Sequence, residues 1–394
     1  MAVKELKPGI CGVGAVDWDR RLFEELVPTP YGTSYNSYLV RGSEKTALID
    51  TVDPAKTHEL MHNLRLAGAD RIDFVVCQHA EQDHSGSIPE VLKAYPEAKV
   101  VTNPRCKEIL MSHLQLTEDR FVTVADEETL HLGGRTLRFI YTPWVHWPET
   151  MCTYIPEDAV LFSCDFLGTH FASGDLFWRK HQPVRDLAKR YFALIMMPLR
   201  EEVIKNLDKI QPLKPAAVAP SHGPVHAEPA RLISAYHEWA SDKVSNEICL
   251  PFVSMHGSTR KMAEHFTDAA LARGIGVKPF NLTCTDIAEL GAALVDAASL
   301  VAASPTVLRG PHPVAANAVL LIRKLKPKTR FGAVIGSYGW GTKVVEQICG
   351  FLSDLEIEML EPVLAKGDPG PEAFAALDRL ADTLAAKHNA LGLR

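Results

Sequence analysis

None of the eight cysteines, at Cys11, Cys77, Cys106, Cys152, Cys164, Cys249, Cys284 and Cys349, forms a C-x-x-C pair. That removes the usual signature of a cysteine-held zinc or iron–sulfur site. Scattered single thiols in a chain this long read as reduced cysteines of a cytoplasmic protein. No run of eighteen apolar residues occurs, so no membrane-spanning helix is expected. The stretch Met1–Gly14 has no cationic start followed by an apolar run, so no secretory signal is expected. Long basic runs are missing too. The 42 Lys+Arg against 48 Asp+Glu give a net charge of −6, which argues against a nucleic-acid partner. There is no internal repeat and no low-complexity segment. What remains is ordinary for a globular protein: 46% hydrophobic and 23% charged residues. At about 150 residues per domain, 394 residues suggest two or three domains.

The pattern changes near residue 245. Before it, short strand-like runs dominate, such as Lys45–Asp50 and Phe74–Cys77. The stretch Leu130–Ile140 alternates around Gly133-Gly134, which predicts a hairpin, and Tyr154–Ser163 repeats the pattern around Pro156-Glu157-Asp158. Ser87-Ile88-Pro89-Glu90 reads as a capping box, and Asn103-Pro104 opens another helix. After the join, strands and helices alternate: Ile248–Ser254, Val277–Asn281, Leu300–Ala303, Phe331–Gly336 and Ile357–Leu360 read as strands. Helices are expected at Thr259–Arg273 and Pro371–His388. Five such units imply a doubly wound parallel sheet with ligands at the strand C-termini. The expected domains are 1–245 and 246–394, joined through the polar Ser241–Glu247 after a helix ending near Ala240.

The strand Phe74–Cys77 runs into His79-Ala80-Glu81-Gln82-Asp83-His84, four potential metal ligands within six positions. In an extended loop, residues two apart point the same way, so His79, Glu81 and Asp83 are expected to converge with His84 turned aside. Further candidates stand at later strand ends: His146, Asp165 and His222. This set resembles the metallo-β-lactamase fold, whose two-metal hydrolases carry H-x-H-x-D-H. Glu81 stands here in place of a histidine. An anionic oxygen donor suits iron better than a nitrogen-rich zinc site does. Glu81, Asp83 and Asp165 supply three negative charges toward two metal ions.

A second constellation begins at Ser254-Met255-His256-Gly257-Ser258-Thr259, between a strand and a helix. Hydroxyls and backbone N–H groups at a helix start can wrap a phosphate. The loop lacks the G-K-[ST] ending of a triphosphate loop and also lacks G-x-G-x-x-G. It resembles the flavodoxin loop [ST]-x-x-G-[ST]-[ST], which binds the FMN phosphate; helix capping is the other reading of such a turn. Ser304-Pro305-Thr306 and Gly336-Ser337-Tyr338-Gly339-Trp340-Gly341 follow the next strands, where a flavodoxin holds its flavin ring. Tyr338 and Trp340 are the candidates to stack on it.

A metallo-β-lactamase-like αββα sandwich followed by a flavodoxin-like doubly wound sheet resembles the flavodiiron proteins, or A-type flavoproteins. The resemblance includes Val16-Asp17-Trp18, Gly32-Thr33-Ser34-Tyr35-Asn36, His146-Trp147-Pro148, Phe162–Asp165 and Ser221-His222-Gly223. It implies an oxidoreductase that passes electrons through FMN to two irons per chain and reduces O2 to water or NO to N2O. By that resemblance His79, Glu81 and His146 bind one iron, Asp83, His84 and His222 the other, and Asp165 bridges them. In some members the equivalent of His84 swings away. The family also implies a head-to-tail homodimer, or a dimer of such dimers. Relatives often read S-P-T-x-N where this chain has Leu308. No rubredoxin module with two C-x-x-C pairs is present, so a separate carrier, such as rubredoxin or a reduced deazaflavin, is expected. The rival readings are a zinc hydrolase fused to a flavodoxin, and a non-catalytic flavin electron carrier.

Overall fold

The computed structural model describes residues 3–393. Two compact units emerge. The first runs to Phe192 and resumes over Leu199–Ala240. The second comprises Ala193–Pro198 and Ser241–Arg394.

The first unit contains two sheets. One has the order Lys4–Lys7, Ile10–Gly12, Tyr38–Arg41, Thr46–Ile49, Phe74–Val76, Lys99–Thr102, Phe121–Thr123. Its pairs are antiparallel up to Thr46–Ile49 and parallel beyond it. The other has the order Thr129–His131, Thr136–Tyr141, Met151–Ile155, Val160–Cys164, Ala217–Pro220, and only its last pair is parallel. Both expected hairpins are present, the first with Gly133 and Gly134 at φ 81° and 71°.

Alternation decides which side chains enter the core. Ala47 and Ile49, Leu137 and Phe139, Val160 and Phe162, and Ala217 and Ala219 are each spaced by two and share one buried cluster. The opposite faces are buried as well, at Leu48, Val75, Val100, Leu161 and Val218. The helices bury apolar stripes of their own: Leu60 and Leu64 on Thr57–Leu66, Val203, Leu207 and Ile210 on Arg200–Ile210, and Leu232, Tyr236 and Trp239 on Pro229–Ala240. The helix at Pro104 starts as expected, Asn103 accepting a bond from the Cys106 N–H at 2.8 Å. The helix Ile88–Ala94 does not carry the expected capping box. Ser87 Oγ donates instead to the Val52 carbonyl at 2.8 Å, because a deeper backbone acceptor is within reach.

The second unit is a parallel sheet with the order Gly276–Asn281, Ser245–Phe252, Ala297–Val307, Phe331–Tyr338, then Glu358–Met359 and Val363–Lys366. Its chain order of 2-1-3-4-5 is the flavodoxin-like doubly wound arrangement. Leu250, Phe252, Val301, Ala303, Ala333 and Ile335 pack with Met262, Phe266, Leu377 and Leu384, which come from the helices Ser258–Ala272 and Pro371–Ala390. The fifth strand is split in two at Leu360-Glu361-Pro362, where proline offers no N–H to the ladder. The third strand runs on through Ser304–Thr306 and turns at Leu308 and Arg309 into Gly310–Pro311. Among the described residues no helix is long and apolar enough to cross a membrane.

Candidate metal centre and phosphate loop

The metal-ligating residue types come from loops that follow four strands of the first unit. His79–Ser85 follows Phe74–Val76, His146 lies between Thr136–Tyr141 and Met151–Ile155, Asp165 follows Val160–Cys164, and His222 follows Ala217–Pro220. The last two strands are parallel neighbours, so their C-terminal loops share one edge. Asp50 braces two of these loops. It accepts from the backbone and the side chain of Gln78 at 2.8 and 2.7 Å, and Ser221 Oγ approaches it at 3.4 Å. The Gly32–Asn36 segment holds the His222 turn. Asn36 Nδ2 donates to the Pro220 and Gly223 carbonyls at 2.8 and 2.6 Å, and Ser34 Oγ accepts from the Gly223 N–H at 2.8 Å. Gly223 has φ 78°, and a Cβ there would meet the Thr169 carbonyl at 2.6 Å.

Two groups form. Ligand atoms of His79, Glu81, His146 and Asp165 lie within 4.8 Å of one another, and so do those of Asp83, His84 and His222. Asp165 joins them. Its Oδ2 lies 3.6 Å from His79 Nε2 and 3.3 Å from His146 Nε2, and its Oδ1 lies 3.1 Å from His84 Nε2 and 3.2 Å from His222 Nε2. Glu81 Oε2 is 3.0 Å from His79 Nε2 and 3.2 Å from His146 Nε2. Asp83 stands 3.3 Å from His84 Nε2 and 3.1 Å from His222 Nε2.

The expected convergence of His79, Glu81 and Asp83 with His84 turned aside is therefore corrected. Residues Gln82–Ser85 form a helical turn, not an extended loop. The turn sends Asp83 away from Glu81 and points the His84 ring inward. Cys164 Sγ also lies near His84 and Asp165.

Charge and satisfaction both favour cations here. Burial opposes charge on every imidazole, yet the facing carboxylates win. His146 is raised to about 9 and His222 to about 10, and His79 and His84 also lie above the usual imidazole value. Against the same burial, the histidines hold Glu81 and Asp165 below the ordinary carboxylate range. Both Asp83 oxygens, both His84 ring nitrogens and Asp165 Oδ1 are buried with no hydrogen-bond partner among the described residues. Buried polar atoms are normally satisfied, so donors that stand close without bonding each other point to a shared ion. The N/O set with three carboxylates fits hard cations such as iron, and metal binding displaces the histidine protons.

In the second unit, the three expected loops lie at the C-terminal ends of adjacent parallel strands. Ser254 Oγ accepts from the backbone N–H groups of Gly257 and Arg260, each at 3.2 Å. Gly257 caps the fifteen-residue helix Ser258–Ala272 at φ 98°, with open space around a built Cβ. Met255 and His256 are exposed at the loop tip, and Ser258 is half-buried. Thr259 is buried, and its Oγ1 lies 2.9 Å from Ser337 Oγ, which ties the first loop to the third. Ser304 is spent within its own hairpin, donating to the Pro305 carbonyl at 2.8 Å and accepting from the His312 N–H at 2.9 Å. Thr306 bonds Thr342 at 2.8 Å. Tyr338 and Gly341 are half-buried, Gly339 is exposed, and Trp340 is 86% exposed. A helix N-terminus with an open glycine turn and aromatic rings on an adjoining loop suits a phosphate carrying a flat ring system.

Residues 33–223 match the profile of the ODP family beta lactamases. The chain is 34% identical over 352 residues to a coenzyme F420H2 oxidase of Methanothermobacter marburgensis, covering 86% of this chain and 87% of the relative. It is 34% identical over 370 residues to a nitric oxide reductase of Moorella thermoacetica, covering 92% and 91%. The rubredoxin oxygen:oxidoreductase of Desulfovibrio gigas superposes with a TM-score of 0.94 at 29% identity, covering 98% of this chain and 99% of that one. The chain belongs to the flavodiiron protein family.

Several residues around the metal centre of this flavodiiron protein escaped the sequence reading. Glu149 Oε1 accepts from His79 Nδ1 at 2.8 Å. His222 Nδ1 donates to the Ser34 carbonyl at 2.6 Å. Trp147 packs nearly perpendicular to the His79 ring, with centroids 5.0 Å apart. His170 packs against His222 at 4.8 Å, and Thr33 Oγ1 lies 2.9 Å from His170 Nδ1. The available signals were weak. Glu149 and Trp147 sit within three residues of His146, and Thr33 and Ser34 lie in the segment that carries the family resemblance.

Proposed function

We propose that this chain is a cytoplasmic oxidoreductase that takes electrons from a separate reduced carrier and reduces O2 or NO. The observation that carries the reading is Asp165, whose two oxygens are divided between two ligand groups. In this reading His79, Glu81 and His146 hold one iron, Asp83, His84 and His222 the other, and Asp165 bridges them. The loops at Ser254–Thr259, Ser304–Thr306 and Ser337–Gly341, in the domain 246–394, hold FMN. When bound, FMN and the two irons supply the electron-transfer and Lewis-acid chemistry. The chain's own residues supply position and environment. Glu81, Asp83 and Asp165 bring three negative charges that partly balance the metals. Ser34 and Glu149 hold the His222 and His79 rings with Nε2 facing inward. Trp147 walls the ligand rings of the His79 group.

The relatives' names support both gases and two carrier types: an F420H2 oxidase, a nitric oxide reductase and a rubredoxin-dependent oxygen reductase. Carrier recognition and gas preference are separate properties, and consumption assays read the second directly. The purified protein is expected to contain two irons and one FMN per chain, and after anaerobic reduction to consume O2, NO or both. Zinc in place of iron would instead support a hydrolase. Glu81→His, which recreates the hydrolase motif, is expected to raise zinc occupancy and abolish reduction, because imidazole favours zinc over a hard ferric ion. Normal iron content and turnover in that variant would remove Glu81 from the reading. We further propose that the working unit is a head-to-tail dimer in which the FMN of one subunit faces the irons of the other.

A further inference from the structure

Burying a carboxylate is costly unless charge or hydrogen bonds compensate it. The Glu149 side chain is 0% exposed and directed at the back of one metal-ligating ring. Its Oε1 accepts from His79 Nδ1 at 2.8 Å and from the Ala80 N–H at 3.1 Å. Its Oε2 is buried with no partner among the described residues. The Glu149 carbonyl accepts from Asn103 Nδ2 at 2.6 Å, so the residue is anchored at its backbone as well. One carboxylate oxygen thus holds both the imidazole and the first peptide of the ligand loop.

A neutral acceptor is enough to fix a histidine tautomer, and His222 uses one. Its Nδ1 donates to the Ser34 carbonyl at 2.6 Å. The rings of His79 and His222, one from each ligand group, therefore differ in what stands behind them: an anion behind His79 and a neutral carbonyl behind His222. We infer that Glu149 is a positioning residue for the metal centre. Its hydrogen bond fixes the His79 tautomer, and its charge biases the His79-side metal toward its higher oxidation state relative to its neighbour. The inference rests on the two-iron reading above. An anion hydrogen-bonded to a ligating imidazole makes Nε2 a stronger donor, and such partners typically govern metal affinity by about 10–100-fold. A ferric ion gains more from that donor than a ferrous ion does, so the His79-side iron is the second to be reduced.

The test uses the full chain, with Glu149→Gln and Glu149→Leu. Gln keeps an oxygen for His79 Nδ1 and the Ala80 N–H but removes the charge; Leu removes both. Metal-free protein is titrated with Co(II) and followed by its visible absorption. Iron-loaded protein is followed by Mössbauer spectroscopy during stepwise reduction. Wild type is expected to bind two Co(II). Glu149→Leu should lose about 10–100-fold in affinity at one site only. Glu149→Gln should recover most of that affinity, yet its His79-side iron should be reduced at a more positive potential while the other iron is unmoved. Equal Co(II) affinities in all three proteins, or a His79-side iron reduced at the same potential in wild type and Glu149→Gln, would overturn the inference while leaving the two-iron reading intact. A wild type that takes up no pair of metals would overturn that reading, and the inference with it.

Discussion

At Asp165, Oδ1 faces His84 and His222 while Oδ2 faces His79 and His146. Replacing it by alanine takes one ligand from each proposed metal and leaves two cations to repel each other across the gap. Asp165→Ala is expected to lose most of its iron and keep its full FMN, since the flavin loops belong to the other unit. Elemental analysis with flavin absorbance measures both, and full iron with full activity would reduce Asp165 to a strand-end residue. A second residue bears on pH. Burial, opposed by a hydrogen bond to the Leu167 backbone, lowers His226 to about 4. A histidine depressed in the fold contributes stability above its unfolded value, near 6.5, and loses it as pH falls toward the folded value. The expected loss is on the order of 3 kcal/mol between pH 6.5 and 4, at most about 1.4 kcal/mol per unit. Thermal unfolding of chelator-treated wild type against His226→Phe reads it. The wild type should fall relative to the variant across that window, and parallel curves would show that His226 does not titrate there.

The hairpin Ala297–Val307 to Gly310–Pro311 joins its strands through two non-glycine residues at positive φ, Leu308 at 48° and Arg309 at 71°. Two-residue turns of this hand prefer Asn-Gly. Leu308→Asn with Arg309→Gly should therefore raise the stability of the second unit by roughly 1 kcal/mol, read from urea denaturation. No gain would mean that contacts at the turn already repay the strain. The same contrast shows what elements reveal in sequence. Strands with alternating apolar residues, such as Thr136–Tyr141, and the Asn103 cap were legible because their signals are local. The fate of Ser87 was not, because its acceptor, the Val52 carbonyl, lies thirty-five residues away. His84 was misread because four clustered ligand residues say nothing of the helical turn that aims them. Glu149 was passed over because a glutamate between a proline and a threonine looks like a surface residue until its burial is known. Strand Val363–Lys366 was missed because Pro362 separates it from the run that precedes it.

For the whole molecule, the proposed dimer makes a prediction that neither unit makes alone. All proposed metal ligands lie within 79–222 and all flavin loops within 254–341. Thr259 is buried at the helix start, so Thr259→Glu places a bulky anion where the flavin phosphate is expected and should empty that site while the iron stays. In the head-to-tail arrangement, a heterodimer of an Asp165→Ala chain with a Thr259→Glu chain keeps one intact flavin facing one intact iron pair. It should retain about half of wild-type activity. A wild-type chain paired with a chain carrying both changes has a dead member at each junction and should be inactive. The reverse result would mean that electrons pass within one chain.

The spread of the proposed ligands along the chain also bears on how the protein is made. The first four, His79 to His84, leave the ribosome more than sixty residues before His146. Asp165 follows, and His222 comes last, just after a strand that must still pair beside Val160–Cys164. A growing chain thus displays a half-built, acidic, cation-attracting loop, Glu81 included, well before the ligands that complete the coordination of either metal have been synthesised. Correct loading is then a matter of timing as much as affinity: the ion taken up first must either be iron or leave before the final histidine closes the site.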